Sequence, residues 1–309
     1  MIKRVLIAYD DSPAADEAVD DLKHAGLPAD LEATVISVAD VYLPPEPAVS
    51  KGTPTEVPPM LVQKARDKAV QAVNAHRALA ERGCARVRAL FPTWKCAPLA
   101  MADSPGWAIA AKAKEVGADL VVLGAQSHSR LERMFLGSVS HKVAAEAPCS
   151  VRIGRHRPVS KTLDILVAVD GSIDSKAALR EVASRTWPTG ARFHLVTVVD
   201  THLETAMAWP GFAAEAFAQT ADQSGREWVN RMTESAARIL FDAGLEVSNY
   251  QYDGHPKDIL ISLAEEWSVH SIFMGARGLQ HGRHASLGTV ASAVASRARC
   301  SVELVRARD

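Results

Sequence analysis

The chain has 309 residues, of which 48% are hydrophobic and 23% charged, so it can bury a full core and is long enough for two domains. Its 35 lysine and arginine residues nearly balance 36 aspartate and glutamate residues, and the formal net charge is -1. This balance argues against a nucleic-acid-binding protein, which needs a positive excess for phosphate contacts, and against an acidic disordered protein.

We expect neither a membrane span nor an export signal. No apolar run reaches the ~18 residues that a membrane helix requires, and the start, MIKRVLIAYDD, is a short strand pattern followed by acids rather than a signal peptide. Four cysteines, Cys84, Cys96, Cys149 and Cys300, are too few and too scattered for a disulfide framework or a Cys-x-x-Cys metal site. We therefore expect a cytoplasmic protein without a membrane span.

An internal repeat organises the chain. The segment KRVLIAYDDSPAADEAV returns as LDILVAVDGSIDSKAAL, which puts Asp10 in register with Asp170. Towards the end of each copy, LGSVSHKVAAEAPCSV returns as LGTVASAVASRARCSV, which aligns Gly137 with Gly288. Self-similarity at this spacing indicates duplication of a whole domain. We expect one domain over residues 1–157 and a second over residues 158–309.

The first copy is nine residues longer than the second between these two landmarks. The extra length falls within residues 44–59, which contain six prolines. Proline fixes φ and lacks a backbone N–H group, so this segment is predicted to be an extended surface excursion. This segment would either cover a site or lie on the surface without contacting one.

Each copy alternates strands with helices. Short apolar runs predict strands that are buried on both faces of a parallel sheet. In the first copy these strands are 5–9, 34–38, 86–91, 120–123 and 150–153, and in the second they are 165–169, 195–199, 246–252, 272–274 and 301–305. The alternation predicts an α/β fold, a doubly wound parallel sheet in each domain with helices on both faces.

The helices have start signals and apolar faces. Ser12 and Ser172 stand where an N-cap oxygen accepts a hydrogen bond from a free backbone N–H group. Long amphipathic helices are predicted around 61–82 and 223–242, and a shorter one carries Ile259, Leu260, Leu263, Ala264 and Trp267. In the second long helix we expect a core-facing stripe of Trp228, Met232 and Ile239.

A glycine-bearing loop follows the fourth strand of the second copy. It begins Gly275-Ala-Arg-Gly278, and nine residues later Gly288-Thr289 opens a helix. Glycines let backbone N–H groups approach an anion, and a helix N-terminus adds unpaired donors and a positive dipole end. Thr289 could add a hydroxyl group and Arg277 a charge. The alternative is that the glycines serve only turns and close packing.

This combination, G-x-x-G-x9-G-[ST] after an apolar strand and a first strand ending in D-x-S, resembles the universal stress protein family in its tandem two-domain form. The resemblance covers nearly the whole chain. It implies that each domain is a five-stranded parallel sheet of order 3-2-1-4-5. It also implies that ATP, ADP or AMP binds between strands 1 and 4, with Mg²⁺ or Mn²⁺ as an accompanying ion and no dedicated metal site.

The resemblance implies specific site residues in the second domain. Asp170 would lie near the ribose and any bound metal, and it would also serve as a helix-capping carboxylate. Val198 would contact the adenine. The phosphates would be held by the loop residues Gly275, Arg277, Gly278, Gly288, Thr289, Val290 and Ala291.

The first domain departs from the motif at one position, where Ser127 replaces the second glycine. If that position requires a positive φ, the replacement costs about 1 kcal/mol or more. We therefore expect a weaker or altered site there, with Arg130 and Arg133 still able to attract an anion. Its residues are Asp10, Val38, Gly124, Ser127, Gly137, Ser138, Val139 and Ser140.

Other motifs are weak. His281 and His284 share a loop with Arg283, where a solvated loop is favoured over half of a metal site. No Ser/His/Asp or Cys/His arrangement with a supporting context suggests a catalytic residue. The P-loop and dinucleotide fingerprints are also missing from the sequence.

Three functions remain open. The favoured one is a stress regulator or sensor that binds an adenine nucleotide mainly in the second domain and is not primarily an enzyme. The second is a slow ATPase, and the third is a carrier of a non-nucleotide ligand. The last strand of each copy is apolar and would leave an exposed sheet edge, so we expect the two domains to pair as a pseudo-dimer. Association into a homodimer is left open.

Overall fold

The computed structural model describes residues 2–42, 59–125, 136–155, 162–199, 214–279 and 287–308, with the backbone alone at 59 and 214–225. In the first half the elements follow in order, with a short 3-10 turn at Leu22–His24 after the first helix. They are β1 Arg4–Ala8, α1 Pro13–Asp21, β2 Glu32–Ala39, α2 Pro59–Leu90, β3 Lys95–Ala102, α3 Pro105–Glu115, β4 Leu120–Gly124, α4 Ser138–Glu146 and β5 Ser150–Gly154.

The second half repeats this order of strands and helices. Its elements are β6 Asp164–Val169, α5 Ile173–Ala183, β7 Arg192–Val199, α6 Ala214–Asp242, β8 Glu246–Asp253, α7 Pro256–Glu266, β9 Ser271–Gly275, α8 Thr289–Arg297 and β10 Ser301–Val305. Ser12 and Ser172 cap α1 and α5 as predicted, because each side-chain oxygen accepts a hydrogen bond from the backbone N–H group three residues later.

The ten strands of the described residues form one sheet of order β3-β2-β1-β4-β5-β10-β9-β6-β7-β8. Within each half the paired strands are parallel and follow the predicted order 3-2-1-4-5, whereas β5 and β10 pair antiparallel. Helices cover both faces. On one face α3, α4, α7 and α8 share a single apolar core across the two halves, and on the other α1 with α2 and α5 with α6 cover separate cores.

Two predictions about local structure are wrong. A strand was expected at 86–91, but α2 continues to Leu90 and the strand lies at Lys95–Ala102. Val87 lies in α2 and is fully buried. The apolar residues of this segment therefore belong to the buried face of a helix and not to a strand. In α6, Trp228 and Ile239 are 46% and 37% exposed, because the face directed at the sheet is formed by Thr233, Ala236 and Leu240 instead.

The proline-rich excursion at 44–59 lies outside the described residues except for its last member, which begins α2. The predicted loop cluster of His281, Arg283 and His284 also lies outside them, as do Arg130 and Arg133. For these positions the sequence-based expectations stay predictions.

Buried charges join the two halves where β5 meets β10. Arg152 lies opposite Glu303 in the strand register, and its Nη1 donates to Glu303 Oε2 at 3.0 Å. The Nε of the same arginine donates to Asp21 Oδ2 at 2.6 Å. Arg185, just after α5, also donates to Glu303. All four side chains are buried, so each charge depends on its partners for stabilisation.

Two glycines of the predicted loops are required by close packing of a helix on a strand. A Cβ on Gly275 would lie 2.7 Å from the backbone nitrogen of Ser175 in α5. A Cβ on Gly124 would lie 2.6 Å from the backbone carbon of Ala14 in α1. The first glycine of each loop therefore has a packing role that is independent of any ligand.

We expect Glu303→Gln to destabilise the folded chain by about 3 kcal/mol, because it leaves buried arginine charge without its carboxylate. Urea denaturation measures the change in the free energy of unfolding. Glu227→Gln is the matched control, since Glu227 pairs with Arg231 at 69% side-chain exposure. That control should change stability by less than about 0.5 kcal/mol. Equal effects of the two variants would contradict a stabilising role for the buried charges.

We expect Gly275→Ala to destabilise the chain by about 1–3 kcal/mol in the absence of any ligand, because its Cβ meets backbone atoms that cannot move aside. Gly278→Ala is the control. Its Cβ would meet only the Asp170 Oδ2 atom, at 3.1 Å, which a small side-chain rotation relieves. Thermal unfolding of both ligand-free variants measures the difference. An unfolding midpoint of Gly275→Ala equal to that of the wild-type chain would refute the packing role.

Candidate functional site

Two cavities lie at equivalent places in the two halves. The larger, of about 400 Å³, lies where β6 and β9 end, and the other, of about 340 Å³, lies where β1 and β4 end. In each half the second and third strands lie on one side of the first strand within the sheet, and the fourth and fifth strands lie on its other side. This reversal of strand order is the place where open α/β sheets bind ligands.

The larger cavity contains eight of the nine residues predicted for the second domain. These are Asp170, Val198, Gly275, Gly278, Gly288, Thr289, Val290 and Ala291. In the second half the structure therefore brings the ends of β6, β7 and β9 together with the start of α8.

Asp170 is positioned by a tight turn directly after β6. Its Oδ1 accepts a hydrogen bond from the Ser172 backbone nitrogen at 2.9 Å, and Gly171 permits the turn with a φ of 82°. Its Oδ2 lies near Gly278, where a Cβ would be 3.1 Å away. Asp170 thus stabilises the turn before α5 with one oxygen and faces the glycine loop with the other.

The helix N-termini around this cavity differ. The side chain of Ser172 caps α5, whereas Gly288 is the N-cap of α8 and no side chain in the described part of the chain caps that helix. The first turn of a helix has backbone N–H groups without intrahelical acceptors, and it carries the positive end of the helix dipole. Thr289, Val290 and Ala291 place these groups at the cavity wall.

Arg277 does not line the cavity, unlike the other predicted residues. Its Nε donates to Asp174 Oδ2 at 2.7 Å, its Nη2 donates to Asp174 Oδ1 at 3.0 Å, and its backbone nitrogen donates to the same carboxylate. Asp174 is 3% exposed and also accepts from the Ala307 backbone nitrogen. The arginine therefore holds the glycine loop against α5, and its charge is compensated there.

Gly278 does not have the positive φ that was considered for this position, because the left-handed glycines of the second half are Gly171, Gly190, Gly244 and Gly254 among the described residues. A side chain at Gly278 would instead crowd the Asp170 carboxylate. The corresponding position in the first half, Ser127, lies outside the described residues.

Sequence reasoning missed the helical wall of this cavity. Trp228, Val229 and Met232 of α6 line it, and Leu279 adds a further apolar side chain from the loop. The Trp228 ring lies beside Gly171, where a Cβ would approach its Cη2 atom to 2.8 Å. No local pattern in the sequence indicates this wall, because Gly171 and Trp228 are 57 residues apart in the chain.

The smaller cavity contains the residues predicted for the first half, except the undescribed Ser127. These are Asp10, Val38, Gly124, Gly137, Ser138, Val139 and Ser140. The Ser140 hydroxyl donates to the Gly124 carbonyl oxygen at 2.7 Å, which ties α4 to the end of β4. This cavity also contains Tyr9, Asp40 and His76, which the motif did not indicate.

The lining of the smaller cavity includes the titratable side chains of Tyr9 and His76, and Tyr9 stands where the lining of the larger cavity has Val169. His76 Nδ1 lies 2.9 Å from Ser37 Oγ. Burial lowers the pKa of His76, and the charge of Asp10 opposes that shift. Burial, followed by the hydrogen bond to Asp16, raises the pKa of Tyr9. The two halves therefore present different chemistry to a ligand.

Metal clusters and membrane-spanning helices are absent from the described ranges. No cluster of three or more histidine, cysteine, aspartate or glutamate side chains in those ranges has the geometry to hold a metal ion. None of the helices in the same ranges combines the length and the apolar character needed to cross a bilayer.

Solved structures share this architecture. A universal stress protein from Archaeoglobus fulgidus DSM 4304 is 21% identical and matches with a TM-score of 0.62, covering 98% of each chain. A protein of unknown function from Pseudomonas aeruginosa PAO1 is 13% identical and matches with a TM-score of 0.55, covering 98% of this chain and 92% of its own. At these identities the likeness shows the fold.

Sequence comparison agrees with the fold and with the repeat. Universal stress protein YxiE from Bacillus subtilis (strain 168) is 28% identical over 163 residues, which are 50% of this chain and 100% of that protein. The sequence profile of the universal stress protein family matches residues 1–155 and again residues 162–306. Both halves of the chain, and with them nearly its whole length, thus belong to the universal stress protein family.

Proposed function

We propose that this chain is a cytoplasmic stress regulator or sensor that binds ATP, ADP or AMP, mainly in the larger cavity. The observation that carries the proposal is the convergence of three features on that cavity, namely the uncapped start of α8, the Gly275–Gly278 loop and Asp170. The bound nucleotide would be the signal that the protein passes on.

The phosphate end of the nucleotide would lie at the start of α8. Backbone N–H groups at a helix N-terminus favour an anion through hydrogen bonds and the helix dipole. Gly288 and Gly278 keep side chains out of the approach to these groups, and the Thr289 hydroxyl adds a further donor. Because Arg277 is paired with Asp174, these backbone groups would carry most of the attraction.

The base and ribose would occupy the apolar part of the cavity. Val198 comes from the second strand, and Trp228 and Met232 come from the facing helix. A cavity of about 400 Å³ is within the size range of small-molecule sites. Asp170 would accept hydrogen bonds from the ribose hydroxyl groups or hold Mg²⁺ or Mn²⁺ bound to the phosphates, since carboxylate oxygen is their preferred ligand.

Slow hydrolysis of ATP is the less favoured alternative. Among the described residues that line the larger cavity, Asp170 is the one titratable side chain, and its Oδ1 is already engaged by Ser172. Hydrolysis needs a group that orients the attacking water in line with the phosphate. The lining supports binding better than turnover.

A carrier of a non-nucleotide ligand is a second candidate function, and the smaller cavity favours it. His76 and Tyr9 add hydrogen-bonding groups to the smaller cavity, whereas the first strand of the second half has Val169 in place of Tyr9 and the described helix lining of the larger cavity is Trp228, Val229 and Met232. Together with Ser127 in the glycine loop, His76 and Tyr9 support a first half that binds nucleotide weakly or accepts another polar ligand.

We expect Gly278→Ser to weaken ATP binding about tenfold, equivalent to about 1.4 kcal/mol, because the side chain crowds Asp170 at the loop. Isothermal titration calorimetry on the nucleotide-free full chain measures the affinity. The reciprocal variant, Ser127→Gly, should strengthen binding in the first half and leave the main site unchanged. An unaltered dissociation constant for Gly278→Ser would contradict the proposed position of the phosphates.

We expect Gly288→Val to abolish the thermal stabilisation that ATP gives the wild-type chain. Gly288 has an ordinary φ of -72°, and its Cβ would lie 3.5 Å from the Gly278 nitrogen, so the valine side chain would occupy the phosphate position. When the free ligand concentration is 100 times the dissociation constant, binding stabilises the folded protein by about 2.7 kcal/mol. The measurement is the unfolding midpoint without nucleotide and with ATP and Mg²⁺ or Mn²⁺.

Gly137→Val is the matched control for this variant, because it makes the same change at the start of α4 in the smaller cavity. It should retain the stabilisation by ATP. If the wild-type chain, free of bound nucleotide, shows no shift at millimolar ATP with either metal, the nucleotide proposal fails and the carrier function takes its place.

A further inference from the structure

Two cysteines that are scattered in the sequence meet in the fold. Cys84 is fully buried on α2, and Cys96 is half-buried near the start of β3, the strand at the edge of the sheet. Their Sγ atoms are 2.7 Å apart, with the Cys96 thiol donating to the Cys84 sulfur. A disulfide bond is about 2.05 Å long, so a small side-chain movement suffices to form one.

We infer that Cys84 and Cys96 form a reversible dithiol–disulfide pair that hydroperoxides oxidise. This redox site goes beyond the proposed nucleotide function and does not depend on it. It rests on the contact between two thiols, one of which lies on the accessible side of the pair.

The surroundings favour a thiolate at this pair. The hydrogen bond from Cys96 lowers the pKa of Cys84, and the charge of Arg88 and the Val35 backbone act in the same direction against burial. Arg88 is held in place because its Nη2 donates to the Cys96 carbonyl oxygen at 2.6 Å. Since the thiolate is the nucleophile in thiol oxidation, the first deprotonation prepares the pair for reaction.

The oxidation is balanced with hydrogen peroxide as the oxidant. After one deprotonation the remaining proton lies mainly on Cys96, because the hydrogen bond to Cys84 raises the pKa of Cys96. Transfer of that proton to Cys84 leaves a thiolate on the more exposed cysteine, which attacks one peroxide oxygen. The O–O bond breaks, a sulfenic acid forms, and the other oxygen leaves as water after taking a proton. Cys84 then attacks the Cys96 sulfur and displaces the sulfenic oxygen as a second water. Two thiols thus supply two electrons and two protons to one peroxide.

The disulfide would join the edge strand to the helix that forms part of the smaller cavity. Cys84 lies on the same helix as His76, which lines that cavity. Oxidation would therefore fix the position of this helix against β3. Among the described strands β3 pairs with β2 alone, so the disulfide would add a second attachment for this edge strand.

Cys149 provides a contrast within the same chain. It is buried, and burial raises the pKa of its thiol to about 11, so it stays protonated and resists oxidation. Substitution of Cys149 is therefore the matched control for substitution of Cys96.

The test is to treat the reduced full chain with hydrogen peroxide, quench, unfold, alkylate with N-ethylmaleimide and weigh the intact protein. Four alkylated cysteines are expected before treatment and two after it, with four restored by dithiothreitol. Trypsin cleaves after Arg86, Arg88 and Lys95, between the two cysteines. Non-reducing digestion should therefore yield a linked pair of peptides, 83–86 joined to 96–112.

In Cys149→Ser the same treatment should still oxidise two thiols. The non-reducing digest of Cys96→Ser should contain no linked pair of peptides. Cys84→Ala provides a second variant with the same expectation, and circular dichroism confirms that each variant is folded. The inference is overturned if wild-type protein keeps four reactive thiols, or if its cysteines oxidise singly or between chains without the 83–86 to 96–112 link. The nucleotide-dependent thermal shift is measured separately, so either proposal can fail without the other.

Discussion

The antiparallel pairing of β5 with β10 is the contact on which the ten-stranded sheet depends, and buried charge determines it. Equivalent positions of the repeat hold Arg152 in one copy and Glu303 in the other. Pairing two first copies would oppose two arginines, and pairing two second copies would oppose two glutamates. Burial opposes ionisation of Asp21, but the charge of Arg152 and hydrogen bonds from His270 and Arg152 lower its pKa to about 2. Asp21 therefore stays ionised, and the pairing of Arg152 with Glu303 favours association of unlike halves.

This pairing also determines where the two cavities open. Within each half the strands are parallel, and the two halves run in opposite directions because β5 and β10 are antiparallel. Ligand sites of parallel sheets lie at the carboxyl ends of the strands. Because the strands of the two halves run in opposite directions, the two cavities lie at opposite strand ends of the sheet. The two sites are thus separated by the full length of the strands. This separation leaves each half free to diverge in its ligand chemistry.

The halves have diverged at the residues around the first turn and the facing helix. The turn after the first strand has Asp11 at a φ of 63° in one half and Gly171 at 82° in the other. A salt bridge from Arg82 holds the aspartate, whereas the Trp228 ring covers the glycine. The same backbone fold therefore encloses a cavity with Tyr9 and His76 in its lining in one half and a cavity lined by Trp228 and Met232 in the other.

The repeat, nine of the ten described strands and the two serine caps were determined by the sequence alone, because self-similarity, periodicity and capping can be read directly from the chain. The residues of the candidate site followed from the resemblance to the universal stress protein family. Tertiary structure decided the remainder. Arg277 pairs with Asp174, 103 residues away, and Cys84 meets Cys96 only because α2 packs on β3. Trp228 lies on the cavity rather than in the core because the packing of α6 selects which side of an amphipathic helix faces the sheet. These contacts depend on how elements pack against one another, which no local pattern records.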